Sequence, residues 1–159
     1  MPAMAFPSTV APALPTVVVE PPDGWVPTVY PGALLASLAP RPDGEFRPNF
    51  IVTATRHEPG YTLAEAAASL REELESLPEA ALKEVSESTE ISVAQAVAFV
   101  DEEAGTVLQV HVLVLVDQAV CVDLVHLTAS CSGATVAEDE PALDKIVSSL
   151  SVGLLGGEA

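Results

Sequence analysis

Along the chain, apolar stretches of two different periods are set apart by proline and glycine. Thr16 to Glu20, TVVVE, is a short β-branched run stopped by Pro21 and Pro22. Asp23-Gly24 signals a turn, and Trp25 follows as the largest apolar anchor. A second apolar run, PGALLASLAP, is bounded by Pro31-Gly32 and Pro40, and the turn-rich RPDGEFRP leads to a third, NFIVTATRH. There Phe50, Val52 and Ala54 alternate with Ile51, Thr53 and Thr55, as expected of a strand packed on both faces or at a sheet centre.

The period becomes helical after Tyr61. Thr62 with Glu65 three residues later makes a capping box, and Tyr61 can staple against Ala66. Leu63, Ala67, Leu70, Leu74 and Leu77 form one apolar stripe that ends at Pro78. The β period then returns. Strands are expected over Glu84–Ile91, Ala94–Asp101, Thr106–Val116 and Ala119–Thr128, with EEAG and VDQAV as hairpin turns. In EDEPALDKIVSSL a second helix is expected, with Asp139 as cap, Pro141 in the first turn, and Leu143, Ile146, Val147 and Leu150 as its buried stripe.

Hairpin-linked strands are antiparallel, so the order predicts an α+β fold: a curved antiparallel sheet of about six or seven strands flanked by two main helices. The expected organisation is a flexible Pro/Ala-rich lead over 1–15, a single domain over 16–152 and a flexible tail over 153–159.

The run VLQVHVLVLVDQAVCVDLVHL, residues 107–127, is apolar enough to raise the question of a membrane span. A span needs about 20 residues without a central charge. Asp117 and Gln118 interrupt this one at its middle, so it reads as a hairpin and no membrane insertion is expected. Parity across an even-numbered turn puts His111 and His126 on one sheet face, paired directly or diagonally. Two imidazoles are half a zinc site. Cys121 and Asp123 point to the other face, however, and no third ligand joins them. His111 and His126 are thus ligand-site candidates whose simpler reading is a pair satisfied by side chains or solvent. No cofactor or metal is expected.

Charge narrows the partners. Lys plus Arg total 6 against 23 Asp plus Glu, a net charge of -17. That field repels phosphate backbones, so no nucleic acid is expected, and it favours a protein partner that is basic or carries hydrophobic segments. Candidate partner-binding residues are Trp25 and the acidic side chains Glu65, Glu72, Glu73 and Glu75 of the first helix, against the simpler readings of a core anchor and a solvated helix face. A homodimer through an edge strand or sheet face stays open. The sequence has no phosphate loop of common spacing, no CxxC, no HExxH and no G-x-S-x-G, and Ser130-Cys131-Ser132 lacks a positioned base, so no enzyme is expected. Cys121 and Cys131 read as separate reduced thiols. MPAMAFPSTVAPALPT has four prolines and no basic residue, unlike a signal peptide. The expected location is the cytoplasm, the alternative being an exported protein whose signal is missing.

The segments VEPPDGW, FRPNFIVTATRH, TLAEAAASLREELES, the meander and PALDKIVSSLSV together resemble the actinobacterial LpqN/LpqT lipoprotein family over roughly residues 16–152. The marks are the turn Pro22 to Trp25, Pro48-Asn49 opening the third strand, and the closing SL of the last helix. The chain departs from that family in lacking an export signal and a lipobox cysteine. The resemblance implies a PsbP-like α/β/α sandwich, a fold shared with a nuclear-import factor that binds the Ran GTPase, with DcrB-related proteins and with Eag-type chaperones of secreted effectors. It implies a non-enzymatic interaction module, here a cytoplasmic chaperone or adaptor for a secreted or toxin-like partner. The alternatives are an envelope-associated domain and a small-ligand binder.

Overall fold

A computed structural model describes residues 2–84 and 88–154 of the chain. Its strands are β1 (Thr16–Val18), β2 (Val26–Pro27), β3 (Leu35–Leu38), β4 (Asn49–His57), β5 (Ala81–Glu84), β6 (Ser92–Asp101), β7 (Gly105–Asp117), β8 (Val122–Ser132) and β9 (Ser151–Gly153). Helix α1 (Leu63–Glu75) joins β4 to β5, and α2 (Val136–Ser149) precedes β9. Seven strands form one antiparallel sheet in the order β2-β3-β4-β8-β7-β6-β5, while β1 and β9 pair separately. The α+β class with two helices flanking an antiparallel sheet is therefore as expected.

Strand β8 lies at the centre, paired along its length to β4 (Phe50↔Ala129, His57↔Val122) and to β7 (Leu108↔Cys131, Asp117↔Val122). Its alternate residues feed two cores. Val125, Leu127, Ala129 and Cys131 meet Phe50, Val52, Val112 and the α2 residues Leu143 and Ile146. On the other face Val97 and Leu113 meet Ala66, Leu70 and Leu74 of α1. A side chain as buried as Ile146 or Leu127 contributes about 1.5–3 kcal/mol by leaving water. The capping box of α1 is formed: Glu65 N–H donates to Thr62 Oγ1 at 3.2 Å, and Thr62 N–H donates to Glu65 Oε2 at 2.8 Å.

Several expected boundaries move, each for a local reason. The strand expected over Glu84–Ile91 is β5, three residues earlier at its start. The turn after Pro78, with Glu79 at φ 52, returns the chain at once and lets Leu82 pack against the α1 core. Val85, Ser86 and Glu87 of that expectation lie outside the described residues. Ser88–Glu90 are not strand, and Thr89 Oγ1 accepts the Ser92 N–H at 3.0 Å to start β6.

The β7–β8 loop is Gln118–Cys121, so β7 runs one residue further and β8 begins three residues later than expected. The Asp117 carboxylate accepts the Ala119 N–H at 2.8 Å, and Gln118 N–H donates to the Cys121 carbonyl at 2.9 Å. Asp139 does not cap α2. Ser132 Oγ accepts the Ala134 N–H, so the chain already winds through a 3-10 turn, and Asp139 sits within the first turn of the helix instead of before it. There it accepts from Thr135 Oγ1 at 2.6 Å and pairs with Arg41, while Pro141 falls in the second turn. Gly153, expected in the tail, belongs to β9 and faces Thr16 of β1; residues 155–159 lie outside the described residues.

The lead expected over 1–15 is tied at its end. Pro15 is buried, and the Ala13 carbonyl accepts from Gln118 Nε2 at 2.9 Å. Gln118 Nε2 also donates to Asp123, which is fully buried and held by Arg56 through two bonds of 2.8 and 3.0 Å. Removing the arginine leaves that carboxylate buried without its counter-charge. Arg56→Ala is expected to lower unfolding free energy in urea by about 3–5 kcal/mol, and Arg56→Ala with Asp123→Leu to recover most of it.

Candidate functional site

On the α1 side of the sheet, odd residues of β7 and even residues of β8 bring His111 and His126 together. Leu113 faces His126 and His111 faces Thr128, so the two histidines are diagonal neighbours. His111 Nδ1 lies 2.8 Å from His126 Nε2, and His111 Nε2 lies 2.8 Å from Gln109 Oε1. An amide oxygen only accepts, which puts the His111 proton on Nε2 and leaves its Nδ1 to accept from His126 Nε2–H. Thr128 Oγ1 stands 3.3 Å from both rings.

The pair is built for the neutral state. Burial, helped by the neighbouring His126, pushes His111 down to about 4. Burial also lowers His126, against the opposing charge of Glu73 on α1. The ring nitrogens between them are spent on each other, and among the described residues no three His, Cys, Asp or Glu side chains could hold a metal ion. Asp123 faces the opposite side with Arg56, and Cys121 lies in the loop.

The candidate partner-binding residues do not form one surface. Trp25 stacks on Phe50 with ring centroids 6.3 Å apart and packs against the α2-side core. Glu65 is used by the capping box, and Glu75 accepts from Arg71 Nε at 3.0 Å. Glu72 and Glu73 are exposed on α1, across the sheet from Trp25. Cys131, buried between two serines, is pushed up to about 11 by burial and by the carboxylates of Asp139 and Glu140, so it stays a thiol.

A feature missed in the sequence lies on the α2 side. Helix α2 packs mainly over β8 and then β7, and among the described residues no other element covers this face of β6 and β5. The result is a trough of about 850 Å³. Its floor is Ala94, Ala96 and Ala98 of β6 with Leu108, Val110, Val112 and Val114 of β7; its wall is Val136, Glu140, Leu143, Asp144 and Val147 of α2. The alanine at every second position of SVAQAVAF was the available signal. Which face would stay uncovered depends on where α2 docks, and periodicity does not carry that.

No family profile and no curated protein matches the sequence. Solved structures do match. LpqN of Mycobacterium tuberculosis, described as involved in cell envelope biogenesis, is similar with a TM-score of 0.73 at 13% identity, over 87% of this chain and 84% of LpqN. The Ran-binding protein Mog1p of Saccharomyces cerevisiae is similar with a TM-score of 0.54 at 14% identity, over 87% of this chain and 96% of Mog1p. The cyanobacterial PsbP (CyanoP) of Synechocystis sp. PCC 6803 has a TM-score of 0.51 at 11% identity, over 96% and 98%. These likenesses establish a PsbP/Mog1-like fold. No helix of the described residues is long and apolar enough to cross a membrane.

The histidine pair makes stability pH-dependent. His111 titrates near its ordinary 6.5 when unfolded and near 4 when folded, so its contribution is complete above pH 6.5 and is lost as pH falls toward 4. Between pH 7 and 4.5 that loss is about 2–3 kcal/mol. His111→Gln is expected to flatten the urea-unfolding free energy against pH by that amount relative to the unmodified chain.

Proposed function

We propose that this chain is a non-catalytic protein-binding module: a cytoplasmic chaperone or adaptor that holds a secreted or toxin-like protein on the α2 side of its sheet. The observation that carries the reading is the uncovered apolar trough. A contiguous apolar face that neither helix closes marks an interaction site more readily than a core. The charge of -17 supports a partner with basic character, steered to the site within about a Debye length of the surface. In this reading Glu72, Glu73 and Glu75 act as long-range steering charges, Trp25 anchors the core on the β4 side, away from the trough, and His111 with His126 holds the α1 side of the sheet together.

A fold shared with the Ran-binding Mog1p supports protein binding as its use. Two free, buried cysteines fit a reducing compartment. A second reading, an envelope-associated domain of the LpqN kind, is favoured by the TM-score of 0.73 to LpqN. Fractionation of native cells separates the two: the chaperone reading expects the chain in the cytosolic fraction and the envelope reading expects it with the envelope.

A photo-cross-linking amino acid placed at Ala96 tests the docking face in the native host. One discrete protein adduct is expected from Ala96 and not from Arg47, which lies outside the trough. Absence of any adduct from Ala96, or the same adducts from both positions, would contradict the proposal.

A further inference from the structure

We infer that the trough receives an amphipathic α-helix of the partner, lying alongside α2 with basic residues on the flank that meets it. This rests on the protein-binding reading above and specifies the occupant.

The shape argues against a small molecule. The trough has a floor, the α2 wall and a rim at Lys83 and Glu84 of β5, and it opens to solvent above, whereas small-ligand sites enclose most of their ligand's surface. A helix brings its own outer face to stand in water. Backbone pairing argues against an extended segment. At Ala96 and Ala98 of the floor, β6 is paired on both sides: to β7 in a ladder from Ser92↔Val114 to Asp101↔Gly105, and to β5 from Ala81↔Ala98 to Glu84↔Gln95. An extended peptide laid across these residues finds no free ladder and buries its own N–H and C=O groups unpaired. A helix satisfies those groups internally and needs only side-chain contacts.

The floor suits a helix as well. Ala94, Ala96 and Ala98 form a row of single methyl groups that lets a helix approach closely, while Val110 and Val147 beside the row offer larger contacts. Helix α2, with 14 residues, runs about 21 Å, so the occupant needs roughly four turns to match it.

Charge selects the flank. Glu140 and Asp144 are one turn apart on the wall, both exposed, and neither joins an ion pair among the described residues. On the far rim Lys83, opposite Ala96, is a positive charge that joins no ion pair among the described residues, while Glu84 turns to Arg71 at 3.7 Å. The unmatched negative charge is therefore on the α2 side, where lysine or arginine of the incoming helix would lie.

The test uses the full chain and three labelled peptides of about 16 residues: a helix with a Leu/Ala stripe and one lysine flank, the same helix with a glutamate flank, and a scrambled sequence of the first composition. Fluorescence anisotropy is expected to show saturable binding of the lysine-flanked helix, at least about tenfold tighter than either control and weakened by salt. Ala96→Trp, which fills the floor, and Glu140→Lys with Asp144→Lys, which reverse the wall, are each expected to weaken it about tenfold. The latter pair is exposed and keeps the test decisive if the tryptophan variant does not fold. Equal binding of all three peptides, binding untouched by the wall variant, or no binding of the lysine-flanked helix overturns the inference. Failure here with a discrete adduct from Ala96 rejects the helix and leaves protein binding standing; failure of both rejects both.

Discussion

The double burial of β8 is the constraint on which the rest of the molecule depends. Val125, Leu127 and Ala129 have no measurable exposure, and the strand is paired to β7 over its whole length and to β4 from Val122 to Ser130. Because side chains alternate, a slip of one residue against β7 would exchange its two faces. The four-residue loop Gln118–Cys121 blocks that slip, holding Ala119 at φ 65 with its N–H on the Asp117 carboxylate. Once the register is set, Asp123 must enter the α2 side and His126 the α1 side. Each buried polar group then needs a partner from another strand: Arg56 of β4 for the carboxylate and His111 of β7 for the imidazole.

The same centre makes the coverage of the sheet unequal. Leucine and isoleucine of α2 follow the large residues of β8 and β7, and the β1–β9 pair with Trp25 packs beside them toward β4. Helix α1 covers the β5 to β7 side of the opposite face, through Leu82, Val97 and Leu113. What stays open among the described residues is the α2 side of β6 and β5, where the sequence places alanine instead of valine. A bare alanine row exposes little apolar area in the free protein, yet it loses water when another surface arrives. Strand β6 thus gives one set of alternate residues to the α1 core and leaves the other set on the open face.

Local chemistry was legible in the sequence and distant choices were not. Thr62 and Glu65 announced a helix start that the structure forms bond for bond, and the leucines of α1 and the stripe of α2 named their buried faces. Parity alone brought His111 and His126 to one face, because an even loop allows nothing else. The diagonal register needed the loop's own hydrogen bonds, which depend on a single aspartate. The β1–β9 pair joins residues at opposite ends of the chain, and three residues of SVG carry too little pattern to announce it. Asp139 read as a cap because its residue type suits one; its partner Arg41 lies 98 positions away, beyond any local rule.

The central claim is that the alanine row of β6 is the face that meets a partner. Alanine-methyl NMR of the chain, titrated with the protein recovered by cross-linking, reads that face directly. The account predicts shifts or broadening at Ala94, Ala96 and Ala98, with the buried Ala66 of α1 unmoved. Changes confined to the alanines of α1, or none at the β6 row when the complex is saturated, would contradict it.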